Sequence, residues 1–212
     1  MNQTGYAQLL DYWAKRARSG TNDCARVEWS RRTQLMRFEA FLLDNDVTGK
    51  SVLDVGCGVG HFGERLQGRG IECEYLGIDI SPEMISRCRE RLQTLSFECV
   101  SDIITWKPAR DFDYSVAFGI HNVKVDGVDE ILAQMMRRQY EISRVATHIS
   151  LLTDRYCGFA DHIKSWRAEE ILSMALGITP YVVLRHDYLP NDFSVTLYHE
   201  ALIDRQKNLV LE

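Results

Sequence analysis

Residues 52–63 read Val-Leu-Asp-Val-Gly-Cys-Gly-Val-Gly-His-Phe-Gly, and the organisation of the chain can be worked outward from them. The run 51–55 is short, apolar and rich in β-branched residues, which predicts a buried parallel strand. It breaks into Gly56, Gly58 and Gly60, and a helical pattern follows over 61–67. Glycines at such a turn remove Cβ atoms where a ligand must lie against bare backbone. The helix that starts there offers unpaired N–H groups and the positive end of its dipole to an anionic group. The stretch therefore predicts a site for a nucleotide-type cofactor.

Two cofactor classes compete for this turn. Gly58, Gly60 and Gly63 fit the G-x-G-x-x-G spacing of dinucleotide sites. Asp54 points elsewhere, because a carboxylate two residues before the first glycine would repel a pyrophosphate. It suits a ligand with a cationic centre, such as the amino group or sulfonium of S-adenosylmethionine (SAM). Residues 74–80, Glu-Tyr-Leu-Gly-Ile-Asp-Ile, predict a second strand ending in an acid, Asp79. An acid about 20 positions beyond the glycine turn can grip two ribose hydroxyls, which both cofactors possess. A third strand over 96–100 closes with Ser101-Asp102-Ile103, where Asp102 could accept from an adenine amino group.

With these residues in place, the chain resembles the class I SAM-dependent methyltransferases. The likeness is carried by LDVGCGVG (53–60), YLGIDISPEMI (75–85), SDI (101–103) and FDYSVAFGIHNV (112–123), and it extends over roughly residues 30–200. The stretches 29–38 and 183–193 look like those of bacterial type-11/12 methyltransferase domains with small-molecule substrates. The resemblance implies an α/β fold with a doubly wound, seven-stranded, mostly parallel sheet, its last strand antiparallel, under an N-terminal helical cap. It implies SAM as cofactor, with Asp79 and Ile80 at the ribose, Asp102 and Ile103 near the adenine, and Gly56, Cys57, Gly58 and Gly60 against the methionine part.

Other elements fall around this unit. An apolar stripe of Leu35, Phe38 and Leu42 marks an N-terminal helical segment over 6–46, interrupted by a loop near 22–29. Ser81-Pro82 is a helix start, with serine as cap and proline at the first helical position. Strands are expected over 112–120, 145–152, 181–185 and 193–199, with helices over 128–142 and 168–176. The alternation of strands and helices predicts right-handed crossovers in one domain, 1–212. Within it, 1–46 forms the cap, 47–203 the α/β core and 204–212 a loose tail. In such sheets ligands lie beyond the carboxyl ends of the strands, at the switch point. Phe118 and Gly119, at the end of the fourth strand, therefore join the expected cofactor site. So do Trp29 and Arg37 from the cap, Arg37 as a partner for the methionine carboxylate.

Composition narrows the remaining classes. At 212 residues with a formal charge of −5, the chain lacks the basic excess that nucleic-acid binding normally needs. No apolar run reaches the ~20 residues of a membrane span, and residues 1–6 carry no signal-peptide pattern. Six cysteines show no C-x-x-C spacing, so they read as reduced thiols of a cytoplasmic protein, without a metal site. Monomer and homodimer are both compatible with these features.

Methyl transfer from a sulfonium is an in-line displacement by an activated donor, so positioning the acceptor can supply much of the catalysis. A base is needed only for a hydroxyl or a protonated amine. After the fourth strand the chain reads Gly-Ile-His-Asn-Val, without the prolines of amino-group methyltransferases acting on bases. His121 is the candidate base by position. Tyr188 is second, because a phenol can orient an acceptor without losing its proton. The expected acceptor pocket combines Trp29, His121, Asn122 and the 186–192 turn, and the expected acceptor is a small molecule methylated at oxygen or nitrogen. A SAM-binding sensor without transferase activity and a peptide methyltransferase are the alternatives.

Overall fold

Strand β1 (Ser51–Val55) is buried along its whole length and pairs in parallel on both sides, with β2 (Glu74–Asp79) and β4 (Phe112–Phe118). The computed structural model describes residues 3–19 and 29–203; the expected 22–28 part of the loop and the tail 204–212 lie outside them. Strands β3 (Ser96–Cys99), β5 (Ser143–Leu152), β6 (Val182–Leu189) and β7 (Asp192–Tyr198) complete one sheet in the order β3-β2-β1-β4-β5-β7-β6. Only β7 runs against its neighbours, pairing antiparallel with both β5 and β6. The chain reverses its direction of winding between β1 and β4, so the crevice expected of a doubly wound sheet opens there.

The sheet separates two cores. Side chains alternate between faces along each strand, so Leu53 and Val55 face one helical layer while Val52 faces the other. The first layer is α5 (Val128–Glu141) and α6 (Ala168–Leu176), which bury Ile131, Leu132, Met136 and Ile171. The second comprises α2 (Arg31–Leu42), α3 (His61–Gly68) and α4 (Pro82–Arg91), with Phe38, Phe41, Phe62 and Cys88 inward. Ser30 caps α2 and Ser81 caps α4, each accepting from the N–H three residues on.

Helix α1 (Gln3–Ser19) belongs to neither layer. Near its start Gln8 exchanges two hydrogen bonds with Asp126, before α5. At its other end Arg18 pairs with Glu83 on α4. The helix thus lies as a strap across the carboxyl edge, bringing Tyr6, Leu9 and Trp13 over the crevice.

Two differences from the sequence reading concern β6. Residues 186–189 continue that strand instead of forming a long turn, and the hairpin closes at Leu189 opposite Asp192. The strand is the sheet edge, and its mixed half-buried and exposed residues leave no clean alternation to read. A register shift between Arg185 and Leu189 further hides its period. Among the described residues, five cysteines are free thiols and no helix is long and apolar enough to cross a membrane.

One polar contact bridges the cap and the far end of the sheet. Arg37 of α2 and Asp192 of β7 are both fully buried and meet at 2.7 Å, with a second bond from Arg37 Nε at 2.8 Å. Removing one partner of a buried pair strands the other charge. Asp192→Ala is therefore expected to lower unfolding free energy by about 3–5 kcal/mol in urea titrations. A loss below about 1 kcal/mol, the value of an exposed pair, would contradict the burial seen here.

Candidate active site

The floor of the crevice is the turn between β1 and α3. Gly56 N and Cys57 N both donate to the carbonyl of Ile78, at 2.8 and 3.0 Å. Gly58 N donates to Asp79 Oδ2 and Ser81 N to Asp79 Oδ1, each at 2.9 Å. One carboxylate therefore clamps the turns that follow β1 and β2. Burial pushes the Asp79 carboxyl up to about 6, against the lowering by these N–H donors. Gly56 has φ +69°, and a Cβ there would lie 2.3 Å from Ile120 Cγ2, so only glycine fits beneath Ile120.

Asp54 interrupts the apolar face of β1. It is 3% exposed and accepts from Tyr75 Oη at 2.6 Å. Burial pushes its carboxyl up to about 7, with the Asp79 charge adding to the rise and the Tyr75 hydroxyl opposing it. In the free protein it sits between acid and carboxylate at neutral pH, and a nearby cation would draw it to the ionised form.

Around this floor lie three contiguous hollows, and Trp13 lines all of them. The first is lined by Asp54, Gly58, Asp79, Phe118 and Gly119 from the sheet edge and by Gln34 and Arg37 from α2. Arg37 uses Nε and Nη2 on Asp192, while its buried Nη1 has no hydrogen-bond partner. Gln34 Oε1, one helical turn earlier, is likewise buried and unpartnered. Trp29 stacks on the guanidinium at 3.7 Å to the ring centroid. The far edge of its ring lies over Gly119, where φ is +75° and a Cβ would meet the indole at 2.7 Å. The Arg37 expected to serve a ligand is thus first a structural partner of Asp192, with its Nη1 left without a partner. Gln34 has no sequence signal beyond its place one turn before Arg37.

The second hollow, beyond Asp79, is walled by Ile78, Ile80, Val100, Ile103, Ile120 and Met135, with Tyr6 of α1 above it. Asp102 does not line it. Its Oδ1 accepts from Ile104 N at 2.9 Å and its Oδ2 from Thr105 Oγ1 at 2.8 Å, so it secures the turn that presents Ile103. Cys57 is buried beneath the glycine turn near Cys88, whose thiol donates to Gly58 O at 3.1 Å. Burial raises the Cys57 thiol well above its usual range, as for a small core hydrophobe.

The third hollow has a volume of about 320 Å³ and opens beside Gly119, between Trp29, Asn122 and Asn191. Both residues proposed for catalysis lie elsewhere. His121 faces the second, apolar hollow, its Nε2 is unpartnered, and burial pushes it down to about 3. The backbone explains this: successive residues of the turn point apart, and Asn122, not His121, takes the third hollow. Tyr188 sits on the outer side of β6 near α2 and donates to Asp192 Oδ1 at 2.5 Å. Burial and the Asp192 charge raise its hydroxyl further above its ordinary range. Its phenol therefore braces the buried ion pair and does not meet any of the three hollows.

Comparison with known proteins agrees with this arrangement. A family model described as a methyltransferase domain matches residues 52–139. A Mycobacterium tuberculosis protein named as a methyltransferase, Rv1506c, is 39% identical over 82 residues, 37% of this chain and 46% of that protein. A trans-aconitate 2-methyltransferase of Methylobacterium radiotolerans is 38% identical over 58 residues, 27% of this chain and 22% of that protein. The chain thus matches less than half the length of these curated relatives. The crystal structure of magnesium protoporphyrin IX methyltransferase from Synechocystis PCC 6803 with bound S-adenosylhomocysteine (SAH) is similar at TM-score 0.65 and 14% identity, over 92% of this chain and 100% of that chain. The last likeness is one of fold. Residues 52–139 are thus similar to a methyltransferase domain, and the sheet order and the glycine turn fit that likeness.

Proposed function

We propose that the protein transfers a methyl group from SAM to an oxygen or nitrogen of a small-molecule acceptor, mainly by holding the acceptor in line with the sulfonium. The observation that carries this reading is the pair of orphaned groups on α2. An α-amino acid presents an ammonium and a carboxylate on one carbon, and Gln34 Oε1 and Arg37 Nη1 offer one acceptor and one donor a helical turn apart. The methionine part of SAM would satisfy both from a single carbon, whereas a dinucleotide has no carbon that carries an ammonium and a carboxylate together. Asp79 would accept from the ribose hydroxyls while keeping its backbone donors, since each carboxylate oxygen has a second lone pair. The apolar second hollow suits the adenine ring, with Ile80, Ile103 and Ile120 on its faces. Asp54 would supply negative charge below the cationic part of the ligand. SAM brings a methyl group already activated on a sulfonium, so the protein's task is to orient, desolvate and exclude water.

A small acceptor is supported by the 320 Å³ hollow beside Gly119 and by the formal charge of −5. The name of the Methylobacterium relative, a trans-aconitate methyltransferase, points to the same class.

Gln34→Met tests the methionine subsite without disturbing the fold. Removing a buried, unpaired acceptor is expected to leave the unliganded protein at least as stable. SAM affinity by calorimetry is expected to fall by about 1.5–3 kcal/mol, the range for hydrogen bonds to charged groups. Unchanged affinity for SAM, or tight binding of NAD to the unaltered protein, would contradict the reading.

Affinity is also expected to depend on pH with a definite sign. Asp54 and Asp79 have carboxyls raised to about 7 and about 6 in the free protein, and ligand cation and ribose donors favour their ionised forms. Binding below those values must therefore release protons, so affinity weakens as pH falls from 8 toward 5. The slope should approach about tenfold per pH unit for each proton released. Calorimetry in two buffers of different ionisation heat counts the protons; uptake instead of release would contradict the assignment.

A further inference from the structure

The third hollow has mostly apolar walls. Trp13, Trp29, Val123, Leu152, Phe159 and Ile163 make it apolar, and among the described residues that line it none is charged or titrates near neutral pH. Its hydroxyls are already engaged: Ser30 Oγ accepts from Thr33 N, and Thr33 Oγ1 donates to the Ser30 carbonyl. One lining side chain is buried and incomplete. Asn122 is 2% exposed, and its Oδ1 accepts from Leu152 N at 3.1 Å. That bond fixes which end of the amide is oxygen, so the unpartnered atom is the donor, Nδ2. It lies next to Gly119, 3.3 Å from where a Cβ would stand, at the junction with the first hollow. A buried donor without a partner is costly, and here it belongs to a side chain that lines the space left for the acceptor.

We infer that Asn122 is a substrate-positioning residue whose Nδ2 donates to one oxygen of a carboxylate acceptor, and that the methylated product is a carboxylic ester. The inference rests on the methyl-transfer reading above. The walls decide among acceptors. A hydroxyl or an ammonium group must lose a proton to attack, and no described residue in this hollow can take one. The histidine of the same turn faces the other recess and is too weak a base for the task. A carboxylate needs no deprotonation. One of its oxygens attacks the methyl carbon, the bonding electrons of the carbon–sulfur bond pass to sulfur, and an ester and the neutral thioether SAH result, with no proton transferred. The step joins an anion and a sulfonium into neutral products, which a low-dielectric hollow favours over their separation in water. A neutral amide donor holds the second oxygen without the full charge that an arginine would bring against the nucleophile.

The test uses protein saturated with SAH and benzoate as the probe, with benzylamine as its cationic match, because the walls are aromatic. The Asn122 side-chain amide is followed by 15N–1H NMR. SAH binding is established first by calorimetry; its absence overturns the SAM reading, and this inference with it. With SAH bound, benzoate is expected to shift the Asn122 amide pair saturably, and benzylamine is expected to leave it in place. Asn122→Asp keeps an oxygen for Leu152 N and removes the donor. It should weaken benzoate binding by roughly tenfold to a hundredfold, as for a hydrogen bond to a charged group, while SAH affinity is unchanged. If benzoate leaves the Asn122 amide unmoved in the SAH-bound wild-type protein, or benzylamine shifts it equally, the inference is overturned without touching the SAM reading. The wild-type spectrum alone decides this if the variant does not fold.

Discussion

The buried contact between Arg37 and Asp192 sets the position of everything at the carboxyl edge of the sheet. It joins α2, which precedes β1, to β7, which follows every other strand. Tyr188 holds the second carboxylate oxygen of Asp192, and Trp29 covers the guanidinium. Two charges removed from water are tolerated only when their hydrogen-bonding capacity is nearly filled. Here four of the five polar atoms concerned are filled by the protein itself, and the fifth, Arg37 Nη1, is buried without a partner on a side chain that lines the ligand hollow. The same pair therefore fastens the cap to the sheet and leaves one directed donor for a ligand.

A second constraint acts at the floor. The carboxylate of Asp79 and the carbonyl of Ile78 together accept four backbone N–H groups from the turns after β1 and β2. This fixes the glycine turn before any ligand arrives, which lowers the ordering cost of binding. It also concentrates acid in one place. Asp54 and Asp79 raise their own carboxyls by being buried, and the charge of Asp79 raises Asp54 further. Such a site is poised for a ligand with net positive charge and is less stable without it, the usual relation between function and folding at a binding centre.

What the sequence discloses and what it hides divide along physical lines. The glycine turn, Asp79 and the alternation of strands and helices are local patterns, and each can be read from a window of about a dozen residues. The strand order follows from crossover rules once those elements are placed. The partner of Arg37 is not local: Asp192 lies 155 residues beyond it, and only the completed sheet brings the two together. The destination of His121 is equally hidden, because a one-residue difference in a turn reverses the direction of a side chain. Gln34 carries no motif, and the turn after the fourth strand discloses Asn122 by position but not its free donor. Gln34 as a site residue and Asn122 as a donor become visible only through atoms left without partners inside a folded core.

A crystal structure of the protein with SAH bound tests the central assignment most directly. In that structure the methionine carboxylate is expected on Arg37 Nη1, the ammonium on Gln34 Oε1, the ribose hydroxyls on Asp79 and the adenine between Ile80, Ile103 and Ile120, with the sulfur facing Asn122 across Gly119. Adenine outside the apolar hollow, or a methionine end that leaves Gln34 and Arg37 still unpartnered, would contradict it.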